Sequence, residues 1–171
     1  MAVKEKKPEN QRKGKEARAK GKAFENRLDK SFEYYKAQGF AAIAKTPEPM
    51  RILSPAGAGR FTCCFTKKAQ PDYEGTLKGG QSIRLEAKFT DLDQIGQVRL
   101  LDVQAEDFKL HAALGAKCFV IVGFASGNVY RIPWFVWHKM VKIYGRKYVT
   151  ELDLGRYKVP ETEDGTLLVL N

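Results

Sequence analysis

The spacing of apolar residues predicts an amphipathic helix early in the chain. Four large apolar side chains fall within roughly 80° of arc at about 100° per residue: Phe24, Leu28, Phe32 and Tyr35. Gly39 supplies a stop, because glycine readily takes the left-handed conformation that ends a helix. Glu25 lies at the margin of the apolar stripe, so its carboxylate can point along the protein surface.

A two-residue alternation marks the clearest strand, at residues 83–89. Its apolar side chains share one face, and charged side chains share the other. The charged residues are Arg84, Glu86 and Lys88. We expect the apolar face to pack in the core and the charged face to point outward.

The remaining periodicity completes an α/β pattern. Helices are predicted at residues 101–114 and 134–144, each followed by a glycine. Further strands are predicted at residues 40–44, 117–124 and 129–132, and another short strand is predicted after a turn at 71–75. Strand-like runs also occur around residues 152–159 and 166–170. We therefore expect a mixed β-sheet flanked by helices.

The segment from residue 49 to residue 70 does not fit this pattern. Two prolines, Pro47 and Pro49, prevent the strand at 40–44 from continuing, and residues 54–60 are rich in Gly and Pro. The alternation that follows, at 61–68, is weak. We expect a protruding, stalk-like excursion over about residues 50–70.

Charge divides the chain into two parts. The 171 residues are enough for one domain, and a hydrophobic share of 43% excludes wholesale disorder. Lys and Arg total 30 against 20 for Asp and Glu, which favours a polyanionic partner such as nucleic acid. Residues 1–22 carry nine basic and three acidic side chains. We expect residues 1–20 to be a basic, disordered or loosely helical arm, and residues 21–171 to be a single domain.

The cysteine pattern and the N-terminus bear on location. Cys63, Cys64 and Cys118 are an odd number without CxxC spacing, and there are only two histidines, which argues against a disulfide framework or a zinc site. The first ten residues are charged where a signal peptide needs an apolar stretch, and the strongest apolar run is far too short for a membrane span. We expect a cytoplasmic protein without a membrane partner.

The spacing of two acidic residues and a lysine indicates a candidate catalytic site. Thirteen residues separate Asp72 from Glu86-Ala87-Lys88. If the two short strands form a hairpin, Asp72, Glu86 and Lys88 converge, and two close carboxylates repel each other. A divalent cation resolves that conflict, and Mg²⁺ suits a site with one or two carboxylates because it keeps several waters. With Lys88 beside the scissile phosphate, this is an arrangement for phosphodiester hydrolysis.

Two other interpretations stay open at this point. An Asp and an E-x-K occur by chance in many proteins, as charges on a solvated face. A non-catalytic DNA-binding protein would also account for the basic charge. Clustered acids near a phosphate have no use in pure binding, so the intact set of Asp72, Glu86 and Lys88 favours an enzyme.

The order of the motifs resembles a known family. Residues 85–90 read LEAKFT, the turn at 71–75 reads PDYEG, and a Lys78-Gly79 turn lies between them. Upstream are a helix with a leading glutamate at Glu25 and a K-x-P-x-P segment at 45–49. Together they resemble the PD-(D/E)xK nuclease core, and specifically the RecU-type Holliday junction resolvases, over about residues 21–137.

The resemblance implies a function and a site. It implies a restriction-endonuclease-like core in which Asp72 and Glu86 ligate Mg²⁺, Lys88 is the catalytic lysine and Glu25 adds a further acid. Mn²⁺ is expected to substitute for Mg²⁺. It also implies a homodimer that resolves four-way DNA junctions. The family usually has small hydroxyl residues before the Asp and an acid after the lysine, whereas this chain has Gln70-Pro71 and Phe89.

The candidates for DNA contact are mostly basic. They are Lys45, Arg51, Arg60, Lys67, Lys68 and Gln104. The helical period does not decide whether Gln104 is exposed, so a plain surface glutamine is an equal alternative. The core motif does not encode the shape of the substrate, and a restriction or repair endonuclease remains the alternative within the enzyme class.

Overall fold

A five-stranded mixed sheet forms the centre of the molecule. The computed structural model describes residues 8–47, 49–65 and 70–171. The strand order is β1-β4-β5-β7-β8. These strands are β1 (Ala41–Lys45), β4 (Tyr73–Leu77), β5 (Ser82–Thr90), β7 (Lys117–Phe124) and β8 (Val129–Pro133). The helices are α1 (Pro8–Ala37), α2 (Asp102–Ala113), α3 (Trp134–His138) and α4 (Met140–Tyr144).

The connections explain why the sheet is mixed. β4 pairs antiparallel with both β1 and β5, and β7 pairs antiparallel with β8 through short turns. β5 and β7 are parallel, since the chain crosses between them through α2. The expected mixed sheet flanked by helices is confirmed.

Two apolar clusters lie on opposite faces of the sheet. α1 covers one face, where Phe24 and Leu28 pack with Ile83 and Leu85 of β5. Gly123 makes room for this helix, because a Cβ at that position would lie 2.8 Å from the Phe24 ring. On the other face, α2, α3 and α4 cover residues of β7 and β8. That second cluster includes Phe108, Val120, Ile132, Val136 and Trp137.

The charged face of β5 is not exposed, which corrects the expectation from its alternation. The side chains of Arg84, Glu86 and Lys88 are only 13%, 1% and 16% exposed. They lie on the face that α2 covers, and α2 brings the polar partners Gln104 and Asp107 to them. The alternation identified a polar face, but such a face can be buried when the covering helix pairs with it.

Two helix boundaries differ from the sequence prediction. α1 begins at Pro8, so residues 8–20 are helical where a disordered or loosely helical arm was expected. Exposed pairs such as Arg12–Glu16 (3.7 Å) support a helix without burial. The helix predicted at 134–144 is divided into α3 and α4 at Lys139. Residues 1–7 lie outside the described part of the chain.

The C-terminal segment is mostly irregular rather than two strands. The short strand β9 (Tyr148–Thr150) pairs with β6 (Gln94–Gly96), and a 3-10 turn follows at Gly155–Tyr157. Only isolated bridges occur at Lys158 and between Glu161 and Leu167. Polar contacts to main-chain groups fix this segment against α1, as in the hydrogen bond from the Ser31 hydroxyl to the Leu167 carbonyl.

The excursion is an exposed β-hairpin. β2 (Met50–Pro55) and β3 (Phe61–Phe65) form a separate two-stranded sheet. Every described side chain of β2 is exposed. Gly57, Ala58 and Gly59 all have positive φ angles at its tip, which a tight reversal requires.

Among the described residues, no helix is long and apolar enough to cross a membrane.

Candidate active site

Two carboxylates accept hydrogen bonds from backbone amides across the open end of the β4–β5 hairpin. The last ladder pair is Tyr73 with Leu85, so Asp72 and Glu86 come next on the two strands. The Asp72 amide donates to Glu86 Oε2 (3.1 Å), and the Ala87 amide donates to Asp72 Oδ2 (2.9 Å). The predicted hairpin and the convergence of these two residues are therefore present.

Lys88 and Gln104 complete the surroundings of Glu86. Lys88 Nζ lies 2.5 Å from Glu86 Oε1, and the Gln104 side-chain amide donates to the same oxygen over 2.7 Å. Gln104 is only 3% exposed, which decides a question that the helical period left open. Its other end accepts from the Leu101 amide (3.1 Å) at the start of α2, so the amide orientation is determined. Gln104 thus contacts a carboxylate of the candidate site.

Burial raises the pKa of both carboxyl groups. Loss of hydration is the main cause for Glu86, and with the nearby negative charge of Asp72 it raises the pKa of Glu86 to about 7. Burial also raises the pKa of Asp72, against the lowering effect of the Ala87 amide and the Lys88 charge. Without a further cation, the two carboxylates resist being ionised together.

The first helix adds a second charged group beside this pair. Glu25 contacts the Lys45 ammonium at the end of β1, and the hydrogen bond raises the pKa of Lys45. The Lys45 ammonium lies 5.9 Å from the centre of the Tyr73 ring, and the negative charge of Glu25 contributes to the raised pKa of Asp72. Glu25 thus lies near the site, paired with a lysine that was predicted to contact DNA.

Sequence reasoning missed Asp29. The buried Tyr73 hydroxyl donates to Asp29 Oδ1 (2.8 Å), which fixes α1 against the strand that follows Asp72. Burial and this hydrogen bond raise the pKa of Tyr73. The signal was available, because Asp29 lies four residues after Glu25 and therefore on the same side of the helix.

Two of the remaining DNA-contact candidates belong to the exposed hairpin. Arg51 is in β2 and Arg60 is at the tip of the hairpin, both exposed. Lys67 and Lys68 lie outside the described residues. The base of the hairpin adjoins the site, since the Thr46 amide donates to the Asp72 carbonyl (2.8 Å). The structure therefore connects the hairpin to the site at Asp72 and leaves these two arginines free to contact a bound molecule.

The donor set fits a hard cation that keeps most of its waters. Among residues 8–47, 49–65 and 70–171, no group of three or more His, Cys, Asp or Glu side chains is arranged to hold a metal ion. Asp72 and Glu86 nevertheless supply two carboxylates, and within the described chain Asp72 Oδ1 accepts no hydrogen bond. Mg²⁺ binds through one or two carboxylates and completes its shell with water and phosphate oxygens.

The mixed sheet places Asp72 before one strand and Glu86 and Lys88 on the next, in the arrangement that the sequence resemblance to PD-(D/E)xK nucleases implies. A family model, RecU (recombination protein U), matches residues 19–160. The chain belongs to the RecU family.

Two relatives are similar to this chain in sequence, and one solved structure is similar to it in fold. A Holliday junction resolvase RecU of Bacillus pumilus (strain SAFR-032) is 30% identical over 145 residues, covering 79% of this chain and 69% of the relative. A Holliday junction resolvase RecU of Ligilactobacillus salivarius (strain UCC118) is 28% identical over 151 residues, covering 84% and 67%. A solved structure of Archaeoglobus fulgidus Hjc, a Holliday junction resolvase, matches with a TM-score of 0.47 at 15% identity, covering 80% of this chain and 88% of that one.

The raised pKa of Glu86 predicts how stability changes with pH. The folded-state pKa of about 7 lies above the unfolded value of 4.5, so the folded protein binds more protons between them. Without divalent cations, stability should therefore fall as pH rises through this window, by at most about 3 kcal/mol for this group. In Glu86→Gln, the free energy of unfolding should depend less steeply on pH. Part of the dependence should persist, because Asp72 also has a raised pKa. Urea unfolding at several pH values measures the slope.

The matched control for this measurement is Glu33→Gln, which removes an exposed acid of α1. It should leave the slope unchanged. Equal slopes for the wild-type protein and Glu86→Gln would contradict the assignment of the raised pKa to Glu86.

Proposed function

We propose that this protein is a structure-selective DNA endonuclease that resolves four-way junctions as a homodimer in the cytoplasm, using Mg²⁺. The observation that carries the proposal is the pair of carboxylates, half-buried Asp72 and buried Glu86, with Lys88 beside Glu86 at the open end of a hairpin. Family membership supports the substrate, because the RecU relatives are named Holliday junction resolvases.

Asp72 and Glu86 are the residues that would hold the cation. When bound, Mg²⁺ supplies Lewis-acid polarisation of a phosphate oxygen and offsets the repulsion between the two carboxylates. Mn²⁺, another hard cation that favours oxygen ligands, would replace it. Gln104 keeps Glu86 oriented through its 2.7 Å hydrogen bond.

Lys88 has the position of an electrostatic catalyst. Its ammonium lies against Glu86 and is partly exposed, so it can reach a phosphate while remaining paired. A positive charge there stabilises the negative charge that develops on the phosphate during hydrolysis. Glu25 and Lys45 form an adjacent ion pair, and exchange of Lys45 from Glu25 to a DNA phosphate would leave the Glu25 carboxylate available near the site.

The exposed hairpin is suited to the centre of a junction. It leaves the core directly beside Asp72 and carries Arg51 and Arg60, with Lys67 and Lys68 in the segment that follows. Basic side chains there would meet the crowded phosphates where four duplexes join. A linear duplex has no opening for such a projection, which favours a junction over restriction or repair substrates.

A dimer follows from the symmetry of this reaction. One site cuts one strand at a time, whereas resolution needs paired cuts in two symmetry-related strands. A two-fold dimer supplies two sites in that relation. Sedimentation at micromolar concentration, with and without a junction, measures the oligomeric state.

Variants of the three site residues test the proposal. Asp72→Asn, Glu86→Gln and Lys88→Ala should each lower cleavage of a labelled four-way junction by at least about a hundredfold while junction binding is retained, because the loss of one electrostatic group typically costs this much. The wild-type protein should cut the junction with Mg²⁺ and not with EDTA, and should cut a linear duplex of the same sequence far more slowly.

Glu106→Gln is the matched control, because Glu106 is an exposed acid of α2. Its cleavage should equal that of the wild-type protein. Wild-type cleavage by either carboxylate variant would remove these residues from the mechanism, and equal cutting of junction and duplex would favour the alternative, an endonuclease of other DNA.

Removal of the hairpin tests its separate role. Replacing residues 50–65 with a short Gly/Ser linker should lower junction cleavage much more than it lowers thermal stability, since the hairpin forms its own sheet and its β2 side chains are exposed. Cleavage and unfolding are measured on the same preparation. Undiminished junction cleavage by the linker variant would show that the hairpin does not contact the substrate.

A further inference from the structure

A second buried polar contact joins α2 to β5 beside the candidate site. Arg84 and Glu86 lie two residues apart on β5, so their side chains share the face that α2 covers. Nη1 of Arg84 lies 3.3 Å from Oδ2 of Asp107, which is three residues after Gln104 on α2. Two polar side chains on one side of α2 therefore contact β5: Gln104 contacts Glu86, and Asp107 contacts Arg84.

The Arg84–Asp107 contact is exclusive at these two atoms. Both atoms are buried and neither makes a hydrogen bond among the described residues, so the charge of each is met at this contact by the ion pair alone. The other end of Arg84, Nη2, pairs with Glu74 on β4 over 3.2 Å. Breaking a buried pair by removing one partner leaves an uncompensated charge, so the pair resists sliding or rotation of α2.

Gln104 depends on the position of that helix. Its amide reaches Glu86 over 2.7 Å, and its carbonyl is already used by the Leu101 amide at the helix start. Apolar contacts of Phe108 hold α2 on the sheet but are not directional. An ion pair one turn away from Gln104 ties the helix to one charged residue of the strand, which apolar contacts cannot do.

We propose that the ion pair between Arg84 and Asp107 is a positioning device that holds α2 so that Gln104 orients the Glu86 carboxylate. Arg84 and Asp107 are positioning residues, because they would act on Glu86 only through the placement of Gln104. The inference deepens the proposed function and rests on it wherever cleavage is the readout.

Side-chain amide signals of Gln104 report the contact directly. In the metal-free protein, a hydrogen bond to a carboxylate gives the Gln104 amide protons distinctive positions in an ¹H–¹⁵N spectrum. Arg84→Met and Asp107→Asn should each shift these signals toward those of an exposed glutamine. On a four-way junction, both variants should have a kcat about tenfold lower, as expected for the loss of one charge-assisted hydrogen bond, with KM within about twofold.

Two controls separate this role from general stabilisation. Glu74→Gln removes the partner of Arg84 on β4 and leaves Asp107 paired, while Lys109→Met removes an exposed ion pair of α2 with Glu106. Both should leave the Gln104 signals and kcat unchanged. Arg84→Lys keeps the positive charge, so it should retain most of the wild-type kcat that Arg84→Met loses.

A double variant keeps the test valid if the single variants fold poorly. Arg84→Met combined with Asp107→Leu replaces the ion pair with apolar side chains, which is often neutral for stability. It should still shift the Gln104 signals and lower kcat.

Wild-type Gln104 signals and kcat in the double variant or in Arg84→Met would overturn the inference. If the wild-type protein does not cut junctions, the proposed function fails, and the Gln104 signals still decide whether the ion pair positions the amide.

Discussion

The backbone amides of Asp72 and Ala87 hold two carboxylates together at the open end of one β-hairpin, where neither group can be fully hydrated. Asp72 and Glu86 follow the last ladder pair, so their side chains take over the role that backbone groups play inside the sheet. The arrangement secures the hairpin end and also concentrates negative charge. A site that binds a cation and a phosphate needs that charge, and the fold supplies the surroundings that tolerate it.

Two helices bring polar side chains to the surroundings of this pair. α1 contributes Glu25 and Asp29 from one face of the sheet, while α2 contributes Gln104 from the other. The crossover that makes β5 and β7 parallel is what places α2 over the polar face of β5. Apolar packing holds the helices on the two faces of the sheet, and the polar contacts determine where each helix lies on its face.

Much of this could be predicted from the sequence, and the main failure concerned the burial of a polar face. The alternation of β5, the spacing from Asp72 to Glu86 and the apolar run of β7 indicated the strands and the pair of acids correctly. The burial of Arg84, Glu86 and Lys88 could not be predicted, because it depends on Gln104 and Asp107 of a distant helix. The apolar pattern did not locate the start of α1, because exposed ion pairs rather than an apolar stripe accompany residues 8–20, where a disordered or loosely helical arm was expected. Local pattern predicts elements, whereas the pairing of polar faces is decided by tertiary contacts.

The most direct measurement of the central claim is the effect of Mg²⁺ on the thermal stability of the wild-type protein and of Glu86→Gln at about pH 8, where both carboxyl groups of the wild-type pair are driven toward ionisation. If the two carboxylates form a cation site, millimolar Mg²⁺ should raise the Tm of the wild-type protein clearly and that of Glu86→Gln little. An equal rise in both proteins, or none in either, would contradict the account.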